Sequence, residues 1–225
     1  MELMVFDEVL ELARSVSQFT IAGEGNVSVR DGDALLIKAS GSTLATMSDD
    51  DLVRCDLDGN AFEGEEKKPS MEVSFHAWIL KTFPEINCVC HTHPTHTIKI
   101  LCSECISDFA NKRLFPDQVV RNGIKSCVVP YNTPGVPLRE EIKKSVEEFI
   151  IRNEYFPKLI LLKNHGIITA STSVQEAIVS TLMCEKSAEI FIGAKMLNDV
   201  QFLTQSEVNA VDTHPSEKYR RNLIR

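Results

Sequence analysis

The sequence predicts a single α/β domain with a largely antiparallel central sheet flanked by helices, and three observations support this prediction. Two short apolar segments are joined by Asp31-Gly32-Asp33, and Asp-Gly supplies the positive φ angles of a tight β-hairpin turn. Several longer segments carry apolar residues at helical spacing. No repeat, low-complexity stretch or linker divides the 225 residues, a length that suits one domain.

The predicted elements alternate along the chain. Apolar spacing predicts a helix over 5–17, and hairpin strands are expected at 27–30 and 34–37. A short strand follows at 53–57, and Pro69-Ser70 is expected to start a helix whose apolar stripe reaches Phe83. The later segments are predicted as strands at 86–90, 126–131 and 159–162 and as helices at 94–101, 138–151 and 174–196. We expect residues 1–225 to form one domain with a flexible C-terminal tail from about residue 206.

The composition argues against several classes of function. A formal net charge of −8 disfavours binding to nucleic acids or to a membrane surface. No apolar run reaches the length of a membrane span, and the acidic N-terminal segment does not have the pattern of a signal peptide. The seven cysteines are an odd number without the spacing of a disulfide framework, so we expect a reduced, cytoplasmic location.

The most informative pattern is His91-Thr92-His93, which directly follows a predicted strand. Imidazoles at i and i+2 of an extended segment point the same way. Further along the chain, Asn164-His165-Gly166 follows the fully apolar strand. If the fold brings His165 to the pair, three histidines would form a metal site with an open coordination position, as catalysis needs. A His-x-His pair also occurs by chance, but three of the six histidines cluster at 91, 93 and 96.

Five motifs in order connect this pattern to a known family. They are Gly25-Asn26-Val27-Ser28, Ser40-Gly41, Pro69-Ser70-Met71-Glu72, His91-Thr92-His93 and Asn164-His165-Gly166. Together they resemble the class II aldolase/adducin family over residues from about 7 to 193. The resemblance implies an α/β/α sandwich and a homotetramer with active sites at subunit interfaces. It also implies Zn²⁺, or another divalent metal, held by His91, His93 and His165.

The same resemblance assigns roles to further residues. Glu72 matches the catalytic glutamate that moves protons, although a glutamate here could also be an ordinary first-turn residue favoured by the helix dipole. The phosphate cradle of the family corresponds here to Asn26, Ser40, Gly41 and Ser70. Backbone amides in glycine turns and at a helix N-terminus are suitable anion donors. Further candidates for the site are Lys38, His96, Asp117, Tyr131 and Tyr219.

Three positions depart from the aldolase pattern. Gly23 replaces a threonine, Met71 replaces a second serine, and Glu24 adds a negative charge beside the proposed phosphate cradle. A carboxylate there opposes a phosphate dianion unless a cation such as Lys38 offsets it. These differences leave open whether the substrate is phosphorylated.

The resulting prediction is a zinc-dependent aldolase that performs reversible retro-aldol cleavage of a sugar phosphate through a metal-stabilised enediolate. A ribulose-phosphate 4-epimerase-like activity is the nearest alternative, but those relatives usually carry aspartate at the position of Glu72. Decarboxylases and dehydratases acting on a sugar or sugar acid share the same metal face. An adducin-like interaction module is the non-enzymatic alternative, and such domains lack the three histidines found here.

Overall fold

The computed structural model of the protein describes residues 2–198 and 200–222. One seven-stranded sheet has the strand order β3-β2-β1-β4-β7-β6-β5. The strands are β1 Asn26–Asp31, β2 Ala34–Lys38, β3 Leu52–Asp56, β4 Cys88–Thr92, β5 Cys127–Val129, β6 Leu159–Leu162 and β7 Gly166–Ser171. The α-helices in these ranges are α1 Glu2–Val16, α2 Val73–Thr82, α3 Thr95–Leu101, α4 Ile106–Asn111, α5 Pro116–Asn122, α6 Val136–Asn153, α7 Val174–Met196, α8 Gln205–Thr213 and α9 Pro215–Asn222.

The sheet is antiparallel apart from its β5–β6 edge, which confirms the predicted, largely antiparallel architecture. The exception has a topological cause, because α6 connects β5 to β6 and a crossover helix returns the chain in the same direction. Tight turns join β1 to β2 and β6 to β7, so those strands pair antiparallel.

Helices cover both faces of the sheet. On one face, α1 and the start of α7 pack on inward residues such as Val27 and Leu36. On the other face, α2 and α6 pack on residues such as Leu35 and Ile37. Because neighbouring strand residues point to opposite faces, this alternation places the sheet between two helical layers. The protein is therefore an α/β/α sandwich, as predicted.

The elements before the C-terminal region differ from the predicted ones in two respects. Helix α2 begins at Val73, because Pro69 pairs with Ala39 and the Ser70 N–H donates to the Lys38 carbonyl at 3.0 Å. These bonds hold the segment before the helix in an extended conformation beside β2. The second difference is that β7 and the short helices α4 and α5 were not predicted.

The predicted tail contains helices α8 and α9. Val208 of α8 is buried, and α8 packs against α5. The mobility of this region stays a prediction. Among the helices that the structure describes, none combines the length and apolar character needed to cross a membrane.

Candidate metal centre

Two neighbouring strands bring the three histidines together. His91 lies at the end of β4 and His93 follows it, whereas His165 lies in the turn between β6 and β7. Strand β7 runs antiparallel to β4, with Ile167 opposite Thr92. The β6–β7 turn therefore lies at the carboxyl end of β4, where the histidine pair is.

The three imidazoles surround one region of space. One ring nitrogen of each histidine lies within 4.8 Å of the others, and the Nε2 atoms of His91 and His93 are 3.0 Å apart. The ring centroids are separated by 4.8–5.3 Å. A divalent metal binds imidazole nitrogens at about 2.0–2.1 Å, so these nitrogens can share one ion after small adjustments. The sequence-based expectation of a three-histidine face is consistent with this arrangement.

The protonation of the rings suits metal binding. Nδ1 of His91 lies 2.8 Å from the Ile167 carbonyl oxygen, which requires the ring to donate there and leaves the Nε2 lone pair directed at the other rings. Burial lowers the pKa of His91, His93 and His165, so these rings are neutral near pH 7. Neutral imidazole is the form that binds a metal, and the three histidines therefore fit a divalent cation.

Glycine is required where the rings meet. A Cβ on Gly166 would lie 2.5 Å from the Thr92 carbonyl oxygen and 2.6 Å from Cδ2 of His93. At Gly25, φ is +66° and a Cβ would lie 2.8 Å from the His91 carbonyl oxygen. These two glycines allow the neighbouring chain segments to approach the histidines closely.

Glu72 lies beside the histidines at the N-cap of α2. Its Oε2 is 3.3 Å from Nε2 of His91 and accepts a hydrogen bond from Nδ2 of Asn26 at 2.8 Å. Its Oε1 is 3.6 Å from Nε2 of His165 and has no hydrogen-bond partner among the described residues. Burial opposes ionisation of the carboxyl group, but the adjacent imidazoles and the Asn26 N–H hold the pKa of Glu72 below its usual value.

A cavity of about 200 Å³ opens beside Glu72 and the histidines. Its lining consists of Gly23, Glu24, Gly25, Asn26, Lys38, Ser40, Gly41, Ser70, Met71, Glu72, His93, Pro134 and His165. The three positions that depart from the aldolase pattern are thus all in the cavity wall. A metal-binding face, a carboxylate and several small polar side chains therefore line one space.

The comparisons with known proteins agree with this geometry. Residues 8–192 match the family described as the class II aldolase and adducin N-terminal domain. The chain belongs to this family. A 3-oxo-tetronate 4-phosphate decarboxylase from Haemophilus influenzae is 31% identical over 215 residues, which cover 94% of this chain and 95% of that protein. An L-fuculose phosphate aldolase from Methanococcus maripaludis is 29% identical over 191 residues, covering 84% of this chain and 96% of that protein.

A solved structure gives the same picture of the fold. An L-fuculose 1-phosphate aldolase superimposes with a TM-score of 0.80 at 24% identity, covering 96% of each chain. The class II aldolase family thus contains similar proteins named for two different reactions, an aldol cleavage and a decarboxylation. Family membership alone does not select between them.

The phosphate cradle predicted for this class II aldolase family member has specific local contacts. Ser40, Gly41 and Ser70 line the cavity, but the Ser40 and Ser70 amides donate to the carbonyl oxygens of Lys68 and Lys38. The hydroxyl groups of these serines are therefore better placed for an anion than their backbone N–H groups. The Asn26 amide is engaged with Glu72 and His76.

Two charged residues adjust the electrostatics of the cavity. The Lys38 ammonium group donates to the Gly23, Ala39 and Ser42 carbonyl oxygens, and burial lowers its pKa. The Glu24 carboxylate accepts the Ile21 N–H at 3.0 Å and lies 3.6 Å from Nδ1 of His93. The 3.6 Å separation is longer than a hydrogen bond, so Glu24 faces the His93 ring without donating to it or accepting from it.

The remaining candidates lie outside the cavity lining. Nδ1 of His96 is 2.8 Å from Oε1 of Glu185, a partner on α7. Asp117 lies on α5, Tyr131 follows β5 and is 60% exposed, and Tyr219 lies on α9. Their proposed roles in the site stay predictions. Sequence reasoning missed Pro134, which lines the cavity, and His76, although the spacing of Glu72 and His76 was a usable signal.

The clash at Gly166 leads to a prediction. Gly166→Ala is expected to push the His93 ring or the Thr92 backbone aside, and so to weaken metal binding by at least about tenfold, the lower end seen when a ligand loses its orientation. Metal titration followed by elemental analysis would measure this. Gly193→Ala on α7 is the matched control, because nothing lies within 4 Å of its added Cβ and its φ is not positive. Equal metal affinity in the Gly166 and Gly193 variants would contradict the prediction.

Proposed function

We propose that this protein is a metal-dependent lyase that cleaves a carbon–carbon bond in a phosphorylated sugar or sugar acid. The observation that carries the proposal is the position of Glu72, whose carboxylate lies 3.3 Å and 3.6 Å from two of three convergent imidazoles. This places a group that can move protons beside a face that can hold a Lewis acid.

The names of the two relatives correspond to chemically related reactions. Loss of carbon dioxide from a 3-oxo-tetronate 4-phosphate leaves a three-carbon enediolate that carries a phosphate. Retro-aldol cleavage of a ketose 1-phosphate between C3 and C4 leaves the same three-carbon enediolate phosphate. A site that stabilises and protonates this intermediate therefore serves both reactions, and one set of residues is sufficient for the shared step.

Different residues of this chain would serve different parts of the shared step. A divalent metal held by His91, His93 and His165 would withdraw charge from the ketone and hydroxyl oxygens of the substrate. Glu72, which its lowered pKa keeps ionised near pH 7, would take a proton from solvent and pass it to the carbon that has lost its bond, and in reverse its carboxylate would remove that proton. Its Oε1, without a hydrogen-bond partner in the described part of the chain, is the atom available for this transfer.

Lys38 and the serine hydroxyls support an anionic substrate. Lys38 contributes a buried positive charge to the wall of the cavity that Ser40 and Ser70 also line. The three N–H groups of Lys38 already donate to the Gly23, Ala39 and Ser42 carbonyl oxygens, so Lys38 would act on a phosphate through its charge, and the serine hydroxyls would donate the hydrogen bonds. These groups would hold the phosphate end of the substrate and direct its ketone towards the histidines.

Of the two cleavages, the decarboxylation receives more support. A retro-aldol step needs a second acid–base group to take the hydroxyl proton of the leaving fragment, whereas release of carbon dioxide does not. Of the candidates for that group, Asp117 and Tyr131 lie outside the cavity lining of this single chain, so a retro-aldol reaction would have to use Glu24 or a group from a partner subunit. The relative named as a decarboxylase also covers more of this chain, 94% against 84%. The aldol cleavage is the second candidate, supported by the 29% identical aldolase.

A substrate panel tests the proposal. The metal-loaded protein is assayed with 3-oxo-tetronate 4-phosphate for release of carbon dioxide and with ketose 1-phosphates for release of an aldehyde. Dihydroxyacetone phosphate in deuterated water tests the shared proton exchange. We expect exchange and release of carbon dioxide. Failure of all three assays with bound metal would exclude the proposed lyase, and failure to bind metal would favour the interaction module.

We also propose an oligomeric state and a cellular location for this protein. The family resemblance supports a homotetramer with active sites at subunit interfaces, and the free cysteines support a reduced cytoplasmic compartment. Native mass measurement of the purified protein tests the tetramer, and a monomer that is fully active would exclude interfacial sites.

A further inference from the structure

A row of four buried side chains runs from β1 to Glu72. Oγ of Ser28 is 2.7 Å from Nδ1 of His76, and Nε2 of His76 is 2.5 Å from Oδ1 of Asn26. Nδ2 of Asn26 then donates to Oε2 of Glu72 at 2.8 Å. Ser28 and His76 are fully buried, and Asn26 is 3% exposed.

Strand β1 and the start of helix α2 each supply two of these four residues. Asn26 and Ser28 are two residues apart on β1, so their side chains point to the same face of the sheet. Glu72 and His76 are four apart at the start of α2 and therefore lie on one side of the helix. The His76 ring also stacks on Phe75, with centroids 4.6 Å apart. The backbone and core thus fix the position of His76.

One arrangement of hydrogens satisfies every member of the row. A carboxylate accepts hydrogen bonds, so the NH₂ group of Asn26 must face Glu72 and its carbonyl oxygen must face His76. His76 then donates from Nε2, which leaves Nδ1 to accept from the Ser28 hydroxyl. Burial lowers the pKa of His76 to about 3, so the ring is neutral near pH 7 and has one N–H to place.

We infer that His76 is a positioning residue that holds the Asn26 amide in the orientation that donates to Glu72, with Ser28 fixing the His76 tautomer. Without the Nε2–H donor, no partner favours one orientation of the Asn26 amide over the other, in which its oxygen and its NH₂ group have exchanged places. A flipped amide would turn its oxygen towards the carboxylate and would no longer hold Glu72 for proton transfer. This inference rests on the proposed function of Glu72.

Two substitutions at His76 separate the donor from the bulk of the ring. His76→Leu keeps an apolar side chain in the core but removes the donor. His76→Gln restores an N–H near the position of Nε2. Because a hydrogen bond to a charged group contributes about 1.5–3 kcal/mol, His76→Leu is expected to slow deuterium exchange into dihydroxyacetone phosphate by about tenfold to a hundredfold. We expect KM and metal content to stay near wild type, and His76→Gln to recover most of the rate.

The combined variant tests whether both residues act on one step. In the Glu72→Gln background, His76→Leu should add little further loss, because the residue that it positions is already inactive. A full additional loss, or equal losses in His76→Leu and His76→Gln, would show a general structural role and overturn the inference. A folded His76→Leu variant that exchanges at the wild-type rate would overturn it too.

Nitrogen NMR gives a readout that does not depend on activity. Wild-type His76 should show the Nε2–H tautomer. The hydrogens of the Asn26 side-chain amide should exchange slowly with solvent, both in the wild type and in His76→Gln. The Nδ1–H tautomer in wild type would overturn the inference. If His76→Leu does not fold, Ser28→Ala is used instead. We expect His76 to show a mixture of tautomers in that variant, and a pure Nε2–H tautomer would contradict the role of Ser28. Inactive wild type with a protected Asn26 amide would count against the proposed lyase alone.

Discussion

Replacing His93 by alanine is expected to remove metal binding and catalysis together. Loss of a group that merely orients a ligand lowers metal affinity by about 10–100-fold, so loss of a ligand should exceed about 100-fold. His93 is the best of the three histidines for this test. Its side chain is 20% exposed and follows the end of β4, whereas His91 is fully buried in the core. His93→Ala should therefore fold normally, and metal content measured on purified protein gives the result.

His96→Ala is the matched control for this experiment. His96 is three residues away, but it pairs with Glu185 and does not line the cavity. The control variant should keep wild-type metal content and activity. Wild-type metal content in His93→Ala would contradict the ligand assignment. Loss of metal in both variants would indicate that this segment unfolds locally, which circular dichroism and thermal denaturation of each variant would reveal.

The sequence was sufficient to predict the parts of the site that depend on local spacing. The His91-Thr92-His93 pattern follows a strand, so the two imidazoles share a face whatever the rest of the fold is. The position of Asn164-His165-Gly166 directly after the apolar strand β6 was predicted, and Asn164 has a φ of +54° there. The hairpin of β1 and β2 followed from Asp-Gly in the same way.

The parts that were missed depend on contacts between distant segments. All residues of β7 are buried, so it has no alternation of polar and apolar residues, and its start is a glycine. Helices α4 and α5 have six and seven residues, too few for a periodic pattern to be distinguished. The orientation of the Asn26 amide depends on His76, a residue 50 positions away. Spacing along the chain carries no information on which partner such an amide selects.

The charge of Glu24 is interpreted differently from the sequence and from the structure. From the sequence alone, its charge opposes a phosphate dianion beside Asn26. In the structure, Oε2 of Glu24 accepts the Ile21 N–H and lies beside Nδ1 of His93, while its side chain is 46% exposed. Solvent screens an exposed charge, so its repulsion of a phosphate is reduced. The objection that the sequence raises against this carboxylate is therefore weaker in the structure, where Glu24 also faces the His93 ring.

Replacing Glu72 by glutamine is expected to separate metal binding from proton transfer. Glutamine has the same shape as glutamate, and its carbonyl oxygen can still accept the Asn26 N–H, so the three histidines should keep their positions. An amide does not take up or release a proton near neutral pH. Because general acid–base catalysis contributes about 10²–10⁴-fold, deuterium exchange into dihydroxyacetone phosphate should fall by that factor while metal content is unchanged.

Glu24→Gln is the matched control, because it makes the same chemical change in the same cavity wall. Glutamine at 24 can still accept the Ile21 N–H and face His93, so we expect a much smaller loss of exchange. Wild-type exchange in Glu72→Gln would remove this residue from the proton-transfer step. Equal losses in both variants would indicate that the negative charge of the cavity matters more than the position of one carboxylate. Loss in Glu72→Gln alone, with metal retained, would identify Glu72 as the proton donor and acceptor, because no effect on the metal could then explain the result.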